Sequence, residues 1–278
     1  MKVDGSPISD RMPTTSNSPV SAVGRVLRGA LQWWLRSQLD HLDSLHIDIH
    51  GSNRQIFSGQ IPQVVLTAEN ATYRGIALHW VRATAHQIHL QIGDILRGHP
   101  LVLSETISAC MQVQLTEADL NTSLDSGSHS QATTAPSLLA AALFEVLQTW
   151  WQSTSNATTR QRLHAAIALF GTSPSPETFP RTHIQLQPNG LIWEIANSQG
   201  RCCRLQTQLQ ATTPSQLRLA HPRIQIDPPS PWLPLEEYSW DLGTDVAIEE
   251  LTLDTGRLAG SAQLLVRPAT SLTGAETT

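Results

Sequence analysis

The sequence predicts an α+β protein with antiparallel strands. Three observations lead there. Two stretches, near residues 23–42 and 137–151, carry apolar residues at helical spacing. Most other apolar positions alternate with polar ones, in runs separated by turns rich in Gly, Pro and Asn. These strand runs follow one another without intervening helices, which argues against a parallel doubly wound sheet. The expected inventory is two main helices and roughly eight to ten strands.

Residues 1–19 are rich in Ser, Thr, Pro and Asn without periodicity and read as a tail. Val23, Val26, Leu27, Ala30, Leu31, Trp34, Leu35, Leu39 and Leu42 then recur at helical spacing, predicting an amphipathic helix to about Leu42 with Ser21 as N-cap. LHIDIHG alternates, with Leu45, Ile47 and Ile49 on one side. SNRQIFSGQ reads as a turn with a short strand, and IPQVVLTAE as another strand. In GIALHWVRATAHQIHLQIG, Ile76, Leu78, Trp80, Ile88, Leu90 and Ile92 share a parity, but Arg82, Thr84 and His86 interrupt it. One long strand, curved at a bulge, accounts for the break.

GDILRG reads as a helical turn, and residues 106–115 as a strand with Ile107, Ala109, Met111, Val113 and Leu115 inward. Thr116 and Asp119 resemble a capping box opening a short helix. Residues 125–136 are a low-complexity insertion. The second helix follows, then a linker over 152–160, and RQRLHAAIALFG as a third, short helix. The last third reads as a meander closed by a hairpin around DTGR. Residues 20–267 thus form a single domain, with 268–278 a second tail.

The chain has 278 residues, of which 40% are hydrophobic and 15% charged, with a net charge of −5. That charged fraction is below the roughly 25% of ordinary domains and excludes a polyelectrolyte or coiled coil. The mild acidity argues against a nucleic-acid partner. Lys2 is the only lysine, so no internal lysine is available for a Schiff base or phosphate loop. Three cysteines make no disulfide framework. The N-terminus lacks an apolar leader and no run of about eighteen apolar residues exists, which predicts a cytoplasmic protein. The sequons at Asn70, Asn121 and Asn156 are then chance matches.

Few residues suggest chemistry. Asp125-Ser126-Gly127 and Asp254-Thr255-Gly256 have the form of aspartic-protease triplets, which need each Asp on a tight loop. The first follows a helical run, and the second sits where a hairpin turn belongs. His86 and His89 point to opposite faces of a strand, and His46 and His50 stand about 13 Å apart, so neither pair suits a metal. Cys202 and Cys203 diverge in a strand, one toward the core and one toward the surface. Nothing calls for a cofactor. Arg25, Arg28 and Arg36 lie opposite Leu27, Leu31 and Trp34 on the helical wheel, with Trp33 about 130° from the apolar centre. An exposed Trp among arginines marks a membrane interface. A solvated helix face, its Trp covered by a loop, accounts for the same pattern.

Three motifs carry a family resemblance: S-x-R-Q-I-x-S-G-x-I-P over Ser52–Pro62, Leu-Thr-Glu-Ala-Asp-Leu-Asn over 115–121, and Asp-Leu-Gly over 241–243. With them, residues 25–267 resemble the cyanobacterial branch of the LmeA-like phospholipid-binding family, weakly across 125–180. The resemblance implies a fold like that of tubular lipid-binding proteins. In these a strongly curved antiparallel β-sheet wraps a long amphipathic helix and leaves an apolar groove for acyl chains. It implies a non-enzymatic protein, peripheral to membranes, that holds or transfers a phospholipid or other acyl-chain lipid. Leu31, Leu35, Leu78, Trp80 and Ile88 are then expected in the lipid groove. Arg25, Arg28, Trp33 and Arg36 are expected to face the membrane. No catalytic residue is carried over. Two other readings stay open: a structural or interaction module with a filled core, and an aspartyl hydrolase using Asp125 and Asp254.

Overall fold

The computed structural model describes residues 22–90, 105–129, 138–169, 181–197 and 199–268. The first helix, α1, spans Ala22–Gln38. It buries Leu27, with Leu31, Trp34 and Leu35 on the same face. The helix stops short of the expected Leu42. Asp40 and Leu42 are instead drawn into the sheet, where the Asp40 N–H donates to the Thr72 carbonyl and Leu42 pairs with Ala71. Ser21, the GDILRG turn and the Ser/Thr-rich tail lie outside the described residues.

Twelve strands are described, in two open sheets with antiparallel pairing throughout. The resemblance implied one wrapping sheet. The first sheet has the order β1 (His41–His50), β2 (Gln60–Tyr73), β3 (Ile76–His89), β4 (Ile107–Thr116), β12 (Arg257–Val266), β11 (Val246–Asp254). The second runs β10 (Tyr238–Asp241), β8 (Gln216–Ile226), β7 (Cys202–Thr213), β6 (Gly190–Ala196), β5 (Arg181–Gln187), with β9 (Leu233–Pro234) added to β8.

One short element departs from the sequence reading. Residues 53–57 form a helix, α2 (Asn53–Phe57), where a turn and strand were expected. The Ser52 side chain accepts from the Gln55 N–H while the Gln55 side chain accepts from the Ser52 N–H. That reciprocal box satisfies the donors a helix start leaves free. The Thr116 box expected on α3 (Glu117–His129) is present: the Asp119 carboxylate accepts from the Thr116 N–H, and Thr116 Oγ1 from the Asp119 N–H.

The interrupted alternation in β3 resolves into two face switches. Residues directly opposite in an antiparallel pair share a face. Leu78 pairs with Ala71 and Trp80 with Glu69, but the intervening pair Asn70–His79 is skipped, and Asn70 has φ +48°. Leu42–Ala71 and Ser44–Glu69 flank the same skip one strand further out. Nearer the other end, Pro62 and Gln87 are skipped and Gln87 has φ +53°. Each switch exchanges odd for even positions while keeping apolar residues on the inner side: Ile61, then Val64 and Leu66, on β2, and Ile88, then Ala85 and Ala83, on β3. The strand is therefore one element, as expected, but its register against β2 is unbroken, so the interruption is not the expected bulge, and its parity does not carry from Ile88 to Trp80.

Three apolar clusters hold the chain. One lies beneath α1: Leu27, Ile47, Ile56, Ile61, Val64, Ile88 and Leu90. A second joins the two sheets, through Leu115, Leu120, Leu124 and Leu253 on one side and Ile184 and Leu186 on the other. The third packs α4 (Leu138–Ser153) and α5 (Ala157–Ala168) on the second sheet. Leu143, Val146, Leu147 and Trp150 bury one stripe of α4 at helical spacing. Only residues 154–156 separate α4 from α5, which Asn156 caps by accepting from Thr158 and Thr159.

Candidate functional site, an apolar cavity under the first helix

Between α1 and the inner face of the first sheet lies an apolar cavity of about 310 Å³. Leu27, Leu31, Trp34 and Leu35 of α1 form one wall. Ile49 of β1, Ile61, Val64 and Leu66 of β2, and Ala83, Ala85 and Ile88 of β3 form the opposite one. Leu90, Ile107, Val266 and Arg267 complete it toward β4 and β12. The lining crosses five neighbouring strands, about 19 Å at the usual strand spacing. Ala83 and Ala85 leave the space: small side chains in mid-strand face the helix where Leu or Ile would close the gap. Sites of this size, mostly apolar with few polar groups, suit small hydrophobic ligands.

Of the residues expected in a lipid groove, Leu31 and Leu35 line the cavity from α1 and Ile88 from β3. Leu78 packs instead in the cluster that joins the sheets. Trp80 lies on the opposite face, pairing with Gln114 and neighbouring Thr252 and Ser261. The switch at Gln87 turns Trp80 away from the side that Ile88 lines, and the switch at Asn70–His79 brings Leu78 back to the inner side further along the strand. Val64, Leu66, Ala83 and Ala85 were absent from the sequence reading because the same switches hid their parity.

The outer side of α1 is cationic and partly apolar. Arg25 and Arg36 are exposed, Trp33 is 70% exposed and Val26 49%. The helix contains no acidic residue. No described residue covers Trp33 as the loop alternative required. Arg28 is half-buried, with its Nε shielded from solvent, so it does not share the exposure of the other two arginines. The adjoining α2, tied to the same core through Ile56, presents Phe57 at 58% exposure, and the exposed Arg54. Neither residue stood out in the sequence, since the segment read as a strand.

Two of the three family motifs have structural work. In Leu115–Asn121, the Glu117 carboxylate accepts from the Leu186 N–H, and the Asn121 amide accepts from the Ile184 N–H and donates to the Ile184 carbonyl. These side chains stand in for a neighbouring strand along the edge of β5. In Asp241–Gly243, the Asp241 carboxylate accepts from the Gly243 N–H and Gly243 takes φ +81°, a turn conformation that glycine adopts without strain. The third, Ser52–Pro62, bears on the cavity: it supplies α2, buries Ile56 and places Ile61 on the lining.

The remaining candidates fall apart as sites. Asp125 lies within α3, not on a loop after a strand. Asp254 is exposed at the β11–β12 turn, its carboxylate bonded to the Thr255 N–H. His46 pairs with Asp48 at 3.1 Å. Among the described residues, no group of three His, Cys, Asp or Glu side chains converges as a metal site would require. Cys203 is buried and Cys202 half-exposed; burial pushes the Cys203 thiol up to about 12. Asp43 is held below the ordinary carboxylate value by hydrogen bonds from Asn70 and His41.

The site thus sets an apolar cavity beneath a helix whose outer side carries exposed arginines. Residues 21–263 match the family described as LmeA-like phospholipid-binding, and the chain belongs to that family. No curated protein and no solved structure matches the chain.

Proposed function

We propose that the protein is a peripheral lipid-binding protein whose cavity beneath α1 takes an acyl chain of a phospholipid, to hold or transfer it. The observation that carries this reading is the cavity itself: apolar and lined from five strands and a helix. Family membership supports it. The filled-core alternative called for close packing under α1, and the open volume there counts against it. Each buried methylene contributes about 0.8 kcal/mol, so a chain threading the cavity needs no catalytic group and little polar contact.

On this reading the outer face of α1 meets the membrane. Trp33 inserts at the headgroup level while Arg25 and Arg36 attract anionic lipid. Phe57 and Arg54 of α2 add to the same surface, and Arg28, half-buried, contributes least. Leu31, Leu35 and Ile88 contact the acyl chain; Leu78 and Trp80 do not. No helix among the described residues is long and apolar enough to cross a membrane.

Native mass spectrometry of the purified protein tests the function. Adducts with phospholipid masses, lost after delipidation and restored by incubation with phosphatidylglycerol vesicles, are expected. A protein that stays adduct-free through both steps and does not sediment with those vesicles contradicts the proposal.

A further inference from the structure

The cavity lining includes one charged residue among the described residues, Arg267, directly beyond the end of β12. Its position is fixed from two sides. Val266, its neighbour, pairs with Ile107, and both line the cavity. The Leu265 N–H donates to the Asp245 carbonyl, which brings Asp245 alongside. The Asp245 carboxylate then accepts from Arg267 Nε at 3.1 Å and from Nη2 at 2.6 Å. That carboxylate also holds the guanidinium above its ordinary pKa.

The geometry of the pair matters more than its strength. Both groups are substantially exposed, so the ion pair by itself adds little stability. It does orient the guanidinium. A guanidinium has five N–H donors in a planar fork, and Asp245 engages only the Nε and Nη2 side. Nη1 and the second Nη2 hydrogen lie outside that pair and can serve a further acceptor, on a residue that also borders the apolar cavity. A planar fork next to apolar walls matches a phosphate better than it matches a hydroxyl or ester, because phosphate oxygens accept two parallel charge-assisted bonds. The apolar walls cannot distinguish one lipid headgroup from another.

We propose that Arg267, braced by Asp245, anchors the phosphodiester of a phospholipid whose acyl chain lies in the cavity. The inference rests on the lipid-groove reading and adds the group that selects a phosphorylated lipid over an uncharged one.

The test compares two fluorescent lipids with the same labelled acyl chains, a phosphatidylglycerol and a diacylglycerol. Each is titrated into wild type, R267Q and R267K, with circular dichroism melts run on all three. Wild type should bind the phosphatidylglycerol more tightly. R267Q should lose about tenfold in affinity for it, as for one charge-assisted contact, and leave diacylglycerol affinity unchanged. R267K keeps the charge without the fork and should fall between. If R267Q binds phosphatidylglycerol as wild type does, or loses both lipids equally, Arg267 is not the anchor, while the groove reading stands. If wild type binds neither lipid, the groove reading fails and the anchor with it.

Discussion

Replacing Ala85 with phenylalanine fills the cavity from its strand side. Ala85 lines the cavity from mid-β3, paired with Val64 on one side and Ala109 on the other. A phenyl ring projecting from it occupies room for about four methylenes of a bound chain. At about 0.8 kcal/mol per methylene, the loss is ~3 kcal/mol, or more than 100-fold in affinity. Stability should move in the other direction or barely change. Adding bulk to a packed core costs about 1–3 kcal/mol, but adding it to open apolar space buries the ring without displacing neighbours. Thr84, one residue away, is the control, since it pairs with Cys110 and faces the opposite side. The assay is displacement of a fluorescent fatty-acid probe, alongside urea unfolding. Ala85→Phe should lose probe binding and keep its midpoint, while Thr84→Phe keeps probe binding. An Ala85→Phe protein that unfolds readily shows a solid interior, and one that binds as wild type shows that the ligand lies elsewhere. Either result refutes the reasoning.

Further predictions concern the surface and the frame. Trp33→Ala should weaken sedimentation with anionic vesicles and shift stability by no more than about 0.5 kcal/mol, as for an exposed site; a large stability loss by urea melt refutes its placement. Phe57→Ala should act in the same direction. Asn121→Ala removes both bonds to Ile184 and leaves that buried strand edge unsatisfied, which should cost about 2–3 kcal/mol in chemical denaturation. A neutral result there shows that the α3 clasp on β5 is dispensable. Iodoacetamide at pH 8 should label exposed Cys110 first and Cys203 last. The buried Cys203 thiol, raised to about 12, holds almost no thiolate at that pH until the protein unfolds. Peptide mapping reads the order, and early labelling of Cys203 contradicts its burial.

The helices were legible where burial is one-sided. Leu27, Leu31, Trp34 and Leu35 announce α1, and Leu143, Val146, Leu147 and Trp150 announce α4, because a helix facing one core must repeat every three to four residues. The strands of β4 kept their parity from Ile107 to Leu115 for the same reason. What failed was long-range or conformational. Gln87 takes positive φ without being glycine or asparagine, so nothing in the residue type marks the switch that turns Trp80 outward; Asn70, a type that tolerates this conformation, marks the second switch only faintly. Ser52 and Gln55 spell a capping box, but with a single turn of helix after it the periodic signal never develops. Glu117 and Asn121 act on Ile184 and Leu186, more than sixty residues away, and no local pattern predicts that pairing. The cavity was hardest of all: it exists because Ala83 and Ala85 are small, and a small residue in a strand looks the same whether it leaves a space or fits a tight core.

Mapping a bound chain is the direct test of the account. A phosphatidylglycerol carrying a diazirine in its acyl chain, photolysed on the protein and followed by peptide sequencing, should mark α1 at Leu31 and Leu35 and the strands at Val64, Ala85 and Ile88. Labels confined to Trp33 and Phe57, or to the Trp80 face, contradict it, because they place the lipid on the outside of a protein whose interior takes none.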